Sequence, residues 1–261
     1  MSTLALFSLK GKVAVLTGGT NGIGLGYVRG LAGAEISQII LTYRNEDALK
    51  TTIKEIERIN RNVKVDAIKV DFAGDEDQNV QLITEESYRL SITGKVDILI
   101  NNAGIAHRSP LEDFPQEKFD EVIKVNLNIP IKLTKSIGTR MIESETEGKI
   151  VFTASLLSFQ GGLNATPYAV SKGGIKSFTQ AVSNEWASKG VRVNSIAPGY
   201  IETKMTDTMD PKNRSKIIDR IPFGRWGNID DFQGPIVFLV SDASRYVTGE
   251  TLVVDGGWMS R

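Results

Sequence analysis

The chain has 261 residues, 41% of them hydrophobic, which supplies a sizeable core and excludes a disordered chain. Lys+Arg and Asp+Glu both total 31, and the zero net charge argues against a nucleic-acid surface or a polybasic membrane patch. With no cysteine there are no disulfides or thiolate metal sites, and the one histidine, His107, argues against zinc and leaves itself as the sole base for any His-dependent triad.

The opening "MSTLALFSLKGK" has a short apolar run with no basic residues before it and reads as a poor signal peptide. No apolar run approaches the roughly 20 residues of a membrane span. A cytoplasmic protein without a membrane or nucleic-acid partner is expected. The first strand is Lys12 to Thr17, ending in a glycine turn, with a helix over "GIGLGYVRGLAG". "SQIILTYR" is a second strand, and Leu49, Ile53, Ile56 and Ile59 recur at helical spacing after it. "VKVDAIKVDF" is a third strand, followed by a polar helix from about Asp75 to Leu90. "KVDILINNAG" is the fourth strand, and one long helix is expected from about Glu117 to Ile142. "GKIVFTAS", a helix from Pro167, "VRVNSIAPG", a helix from about Ile229 to Ser241, and "TLVVDGG" complete the alternation.

Strands alternating with helices imply right-handed crossovers and a parallel sheet covered on both faces. The expected fold is a single α/β domain over residues 1–261, doubly wound and Rossmann-type, with seven parallel strands. The polar stretch from Glu202 to Gly227, with Pro211 and Pro222, interrupts the alternation and reads as a substrate lid.

"TGGTNGIG" spaces Gly18, Gly22 and Gly24 as G-x-x-x-G-x-G at the end of the first strand. Glycine lets a phosphate approach the backbone, and the helix behind it presents free N–H groups and a positive dipole end. Gly18, Thr20, Asn21, Gly22, Ile23 and Gly24 are therefore candidate dinucleotide contacts. The second strand ends in Tyr43-Arg44, with no acid before Glu46. An acid there would repel a 2′-phosphate, whereas the Arg44 fork would bind one, so NADP(H) is preferred and NAD(H) remains possible.

Tyr168 and Lys172 lie four residues apart, roughly 6 Å along a helix axis, on one face. A nearby ammonium favours the phenolate, which makes the pair a candidate general acid/base. Ser155 ends the fifth strand thirteen residues upstream, "NNAG" ends the fourth, and Asn126 sits in "KVNLN". Helical glycine costs roughly 1 kcal/mol relative to alanine, so Gly173-Gly174 point to close packing against another backbone or the cofactor.

Taken together, "TGGTNGIG", "NNAG", "VNL", Ser155 with "YAVSK", and "APGYIET" resemble the short-chain dehydrogenase/reductase family over almost the whole chain. The resemblance implies that Tyr168 is the acid/base, that Lys172 lowers its pKa and holds the nicotinamide ribose, that Ser155 bonds the substrate oxygen, and that Asn126 anchors a water relay. It further implies that Asp71 and Phe72 contact adenine, that Asn101, Asn102, Ala103 and Gly104 line the cofactor, and that Pro198, Gly199, Ile201 and Thr203 meet the nicotinamide. Asn21 replaces the basic residue that some NADP-dependent members carry. A homotetramer is implied as well.

"SFQGG", "IPFGRWG" and "VDGGW" resemble the sugar-acid branch of the family and imply a substrate of 2-deoxy- or 3-deoxy-gluconate type. A sugar carboxylate needs a cation or convergent donors. Arg108 and Gln160 are the candidates beside Ser155 and Tyr168, with His107, Arg214, Arg220 and Arg225 weaker ones. A ketose or polyol reductase, a 3-oxoacyl thioester reductase and a non-catalytic NADP-binding sensor are the alternatives.

Overall fold

The structure is a computed structural model that describes residues 2–203, 206 and 211–261. Within the 202–227 segment, positions 204, 205 and 207–210 therefore lie outside the described residues. Seven strands form one sheet: β1 (Val13–Leu16), β2 (Gln38–Tyr43), β3 (Lys64–Lys69), β4 (Ile98–Asn101), β5 (Lys149–Thr153), β6 (Arg192–Pro198) and β7 (Thr251–Val254). All pairings are parallel, in the order β3-β2-β1-β4-β5-β6-β7. The doubly wound architecture read from the alternation is the one observed.

The register follows from side-chain alternation. β1 is wholly buried, as a strand covered on both faces must be. Ala14 and Leu16 enter one core with Ile39, Leu41, Ile98 and Ile100, while Val13 and Val15 enter the other with Ile40, Leu99 and Phe152. The first core is covered by α1 (Gly22–Gly33). Helices α2 (Glu46–Ile59) and α3 (Glu76–Leu90) open with side-chain caps from Asn45 and Asp75.

The single helix expected over 117–142 is instead three pieces: α4 (Gln116–Ile123), a π turn (Lys124–Asn128) and α5 (Ile129–Glu143). The cause is Pro130 in the first turn of α5. It has no N–H to give the carbonyl of Asn126 four residues back, so the i→i−4 ladder fails there. Helix α6 (Thr166–Trp186) runs unbroken over 21 residues with Pro167 in its first turn, where a missing N–H costs nothing.

The 202–227 segment contains a helix that the sequence reading left out, α7 (Pro211–Arg220). Its Ile217 and Ile218 pack on a small satellite core of Leu156, Ile221, Trp226 and Trp258. The helix expected at 229–241 begins as a 3-10 turn at Ile229–Phe232 and continues as α8 (Gln233–Val240). Among the described residues, no helix is long and apolar enough to cross a membrane.

Candidate active site

The order of the strands reverses between β1 and β4, so a crevice opens at their carboxyl ends. Gly18 has φ +69° and Gly22 φ +52°, conformations that side chains rarely adopt. A side chain at Gly24 would collide with the Gly18 carbonyl. The N-cap of α1, Asn21, forms no side-chain cap, which leaves first-turn N–H groups of α1 without that partner. Thr203 closes the far side, its Cγ2 3.7 Å from where a Gly22 Cβ would stand. A narrow backbone cradle at a helix N-terminus fits a pyrophosphate.

The turn is fixed from below by Thr17, which the sequence reading missed, and by Asn102, which it placed along the cofactor. Thr17 Oγ1 accepts the N–H groups of Asn102 at 3.0 Å and Ala103 at 3.1 Å. Asn102 donates its amide to the Gly18 carbonyl at 2.9 Å and the Thr17 carbonyl at 3.2 Å. Asn101, expected at the cofactor, is 4% exposed and turns inward to bond Thr134 at 3.3 Å. Strand alternation is the reason: one asparagine faces the core and the next faces the crevice. The signal was the doubled asparagine of "NNAG".

At the ribose end, Arg44 is exposed and has no ion pair or hydrogen bond among the described residues, while the neighbouring Glu46 is engaged by Lys69 at 3.2 Å. A free guanidinium fits a 2′-phosphate. Asp71 is exposed and bonds the Ala73 N–H at 3.0 Å, and Phe72 leans on the second core. Gly199 lies against Asp255, whose Cα would be 2.6 Å from an added Cβ, and the preceding Pro198 is buried at the end of β6. Ile201 is buried and bridges to Gly227.

The reactive end lies beyond β4 and β5. The π turn brings Asn126 inward, where its Oδ1 accepts the Ile105 N–H at 2.9 Å and its amide donates to the Ile105 carbonyl at 2.8 Å. A side chain at Gly104 would stand 3.3 Å from Asn126 Oδ1 and 3.7 Å from Lys172 Nζ, so the three converge. Lys172 is 4% exposed and donates to the Thr153 carbonyl at 2.6 Å. Ser155 accepts the Leu157 N–H at 3.1 Å, and Ser158 ties that loop to the carbonyl of Lys172 at 2.7 Å. Lys172 Nζ lies 5.6 Å from the centre of the Tyr168 ring.

Burial pushes the Tyr168 hydroxyl up, and the Ser155 hydroxyl and the Arg108 charge pull it part of the way back. Lys172 is shifted as well: burial brings its pKa down to about 8, and its ammonium donates to the Thr153 carbonyl.

Of the substrate candidates, Arg108 is exposed and its charge reaches Tyr168. Gln160 is half-buried, with no side-chain hydrogen bond among the described residues. The weaker candidates are engaged elsewhere. His107 faces Glu121 at 3.6 Å, Arg214 pairs with Glu202 and lies 4.6 Å from the Trp226 ring, Arg220 lies 3.9 Å from the Trp258 ring, and Arg225 pairs with Asp231 at 2.8 Å. The expectation for Gly173-Gly174 also changes. Gly174 abuts the Leu127 side chain, whose Cδ1 would be 2.9 Å from an added Cβ, and Gly173 meets nothing within 4 Å.

A phosphate cradle facing a tyrosine–lysine pair across the sheet's switch point defines the class, an NAD(P)-dependent oxidoreductase acting on CH–OH groups. A family model described as enoyl-(acyl carrier protein) reductase matches residues 18–259. The chain belongs to the short-chain dehydrogenase/reductase family. It is 47% identical to a 2-dehydro-3-deoxy-D-gluconate 5-dehydrogenase from Pseudoalteromonas atlantica, over 99% of this chain and 100% of the relative. A solved structure assigned as an NAD(P)-dependent gluconate 5-dehydrogenase from Beutenbergia cavernae, with NADP at low occupancy, is 40% identical with a TM-score of 0.90, over 98% of this chain and 100% of that one. The gluconate 5-dehydrogenase of Burkholderia cenocepacia, solved with NADP and tartrate, is 34% identical with a TM-score of 0.90, over 100% of both chains.

Proposed function

We propose that this protein interconverts a CH–OH group and a carbonyl on a sugar acid of the 2-deoxy- or 3-deoxy-gluconate type, with NADP(H) preferred and NAD(H) possible. The observation that carries the reading is the convergence of Gly104, Asn126 and Lys172 beside Tyr168. The names of the similar dehydrogenases and the NADP bound in two similar structures support the substrate class and cofactor.

The nicotinamide, when bound, supplies or accepts the hydride. Gly18, Thr20, Asn21, Gly22, Ile23 and Gly24 hold its pyrophosphate, and Tyr43 and Arg44 its adenosine ribose and 2′-phosphate. Asp71 and Phe72 border the adenine. Ala103, Gly104, Pro198, Gly199, Ile201 and Thr203 border the nicotinamide, with Lys172 on its ribose. Ser155 donates to the substrate oxygen as charge develops there. Tyr168 exchanges the proton with that oxygen, and Asn126 holds the backbone at Ile105 in place. Arg108 pairs with the substrate carboxylate and favours the phenolate of Tyr168.

The family model's description favours one second reading, an acyl-thioester reductase. We further propose a cytoplasmic homotetramer built from one domain, with the 202–227 segment closing over substrate. The exposed Val170 and the open face at Gly173 support a subunit contact on α6.

The test is turnover with NADP(H) and NAD(H) against 2-dehydro-3-deoxy-D-gluconate, gluconate, ketoses and an acetoacetyl thioester. Sugar acids should dominate, and Tyr168→Phe should lose nearly all turnover while still binding NADPH. Arg108→Gln should raise the KM for acids about tenfold, the scale of one charge-assisted pair. A fully active Tyr168→Phe enzyme refutes the assignment.

A further inference from the structure

A part-buried chain of hydrogen bonds joins the glycine turn to the residue that holds the lysine, and its two middle links have no role in the site as described. Tyr27 is fully buried on α1, its ring edge-on to Phe232 at 6.4 Å. Its hydroxyl lies 3.2 Å from Thr153 Oγ1 at the end of β5. Thr153 Oγ1 lies 3.0 Å from Asn102 Oδ1, beyond the end of β4. Asn102 in turn donates to the carbonyls of Gly18 and Thr17, at the end of β1.

Proton counting fixes the direction of the chain. The Asn102 amide nitrogen faces two carbonyls, so its oxygen faces Thr153 and can only accept. The single Thr153 proton must go there. Thr153 Oγ1 is then left to accept, and the Tyr27 hydroxyl must donate. Burial keeps Tyr27 protonated by pushing its pKa up, which suits a permanent donor. Four elements are stapled in series: α1, β5, β4 and the turn after β1.

The other end of Thr153 faces the reactive site. Its carbonyl accepts the Lys172 ammonium at 2.6 Å, the one hydrogen bond Lys172 Nζ makes among the described residues. The side chain that Tyr27 and Asn102 pin therefore belongs to the residue whose backbone aims Lys172. We infer that Thr153, held by Tyr27 and Asn102, is a positioning residue that sets the Lys172 ammonium relative to the glycine turn. This rests on Lys172 acting in the proposed reaction. A rigid link of this kind suits the chemistry, because Lys172 must address a ribose whose phosphates are seated at the other end of the same link. A serine keeps the link, a valine cuts it at its centre, and a phenylalanine at position 27 cuts it at its outer end without emptying the core.

The test compares Thr153→Val, Thr153→Ser, Tyr27→Phe, the double variant Tyr27→Phe/Thr153→Val, and Tyr168→Phe. The readouts are kcat, substrate KM with 2-dehydro-3-deoxy-D-gluconate, NADPH affinity by fluorescence titration, and thermal unfolding. Thr153→Val should lower kcat about tenfold and weaken NADPH several-fold, with substrate KM within about twofold, since small misplacements of positioned groups cost on this scale. Thr153→Ser should recover kcat to within about twofold, and the double variant should be no worse than Thr153→Val, as members of one network are non-additive. Tyr27→Phe, which preserves the ring packing, keeps the test open should Thr153→Val fail to fold, and it should lose kcat several-fold. Wild-type kcat and NADPH affinity in Thr153→Val and Tyr27→Phe, or in Tyr27→Phe where Thr153→Val does not fold, with Tyr168→Phe inactive, overturn the inference alone. So does a Thr153→Ser enzyme as impaired as Thr153→Val. An active Tyr168→Phe enzyme overturns the catalytic assignment, and the inference falls with it.

Discussion

Lys172 illustrates what a buried charge at the proposed site costs. It is 4% exposed, and burial lowers its pKa from 10.5 to about 8. The folded value lies below the unfolded one, so between them the unfolded chain binds the proton that the folded chain gives up. Stability contributed by this group therefore rises with pH across that window, and the penalty is largest below about pH 8. A shift of this size corresponds to about 3 kcal/mol. Lys172→Met, with similar volume and no charge, should raise the melting temperature of the cofactor-free protein by several degrees at neutral pH, while turnover is lost. The advantage should shrink towards about pH 10, and calorimetry at the two pH values reads both. An unchanged melting temperature at neutral pH would mean that the Thr153 carbonyl offsets the desolvation in full. At this scale the sequence was informative about identity and less so about environment. The spacing of Tyr168 and Lys172 is a weak mark by itself, and it was the resemblance carried by the surrounding motifs that gave Ser155, Tyr168 and Lys172 their expected roles. Asn102 and Thr153 matter only through neighbours on other strands, which spacing along the chain does not reveal.

The elements repeat that pattern at a larger size. Strands buried on both faces are apolar runs, and runs such as "VAVL" announce themselves. The π turn did not, because the apolar spacing across residues 117–142 passes for one continuous helix. Its signal was Pro130, which removes the very N–H that the Asn126 carbonyl would need. Helix α7 was missed because it is short and polar, and its Ile217 and Ile218 pack on the satellite core of Leu156, Ile221, Trp226 and Trp258 instead of on the main core. The π turn yields a prediction. Pro130→Ala restores the missing donor and lets the i→i−4 ladder close through Asn126. Asn126 would then be drawn from the Ile105 backbone that it now bonds twice. The expected result is a melting temperature no lower than wild type with kcat reduced about tenfold, the cost of a small displacement near reacting atoms. Unaltered kcat would show that the turn is held by the Asn126–Ile105 bonds alone.

For the whole molecule, alternation gave the parallel sheet, and right-handed crossovers left few strand orders to choose among. Nothing in that logic reaches past one chain, but Gly173 does. A glycine within α6 gives up roughly 1 kcal/mol relative to alanine. Its neighbour Gly174 has a reason to be small, since Leu127 of the π turn lies against it. Gly173 has none among the described residues: an added Cβ would meet nothing of them within 4 Å, and the nearby Val170 is 50% exposed on the same helix. A second chain closing on this face would account for both features. Static light scattering on the wild type should then give the mass of a tetramer. Gly173→Trp should lower that mass, because the ring would occupy the space a partner backbone needs. Gly173→Ala separates the two cases from the other side. On a free face it gains helix propensity and raises the melting temperature by a few degrees, whereas on a covered face it crowds the contact and the gain vanishes. A wild-type monomer that Gly173→Ala stabilises would place no subunit on α6 and would leave the glycine without a packing role.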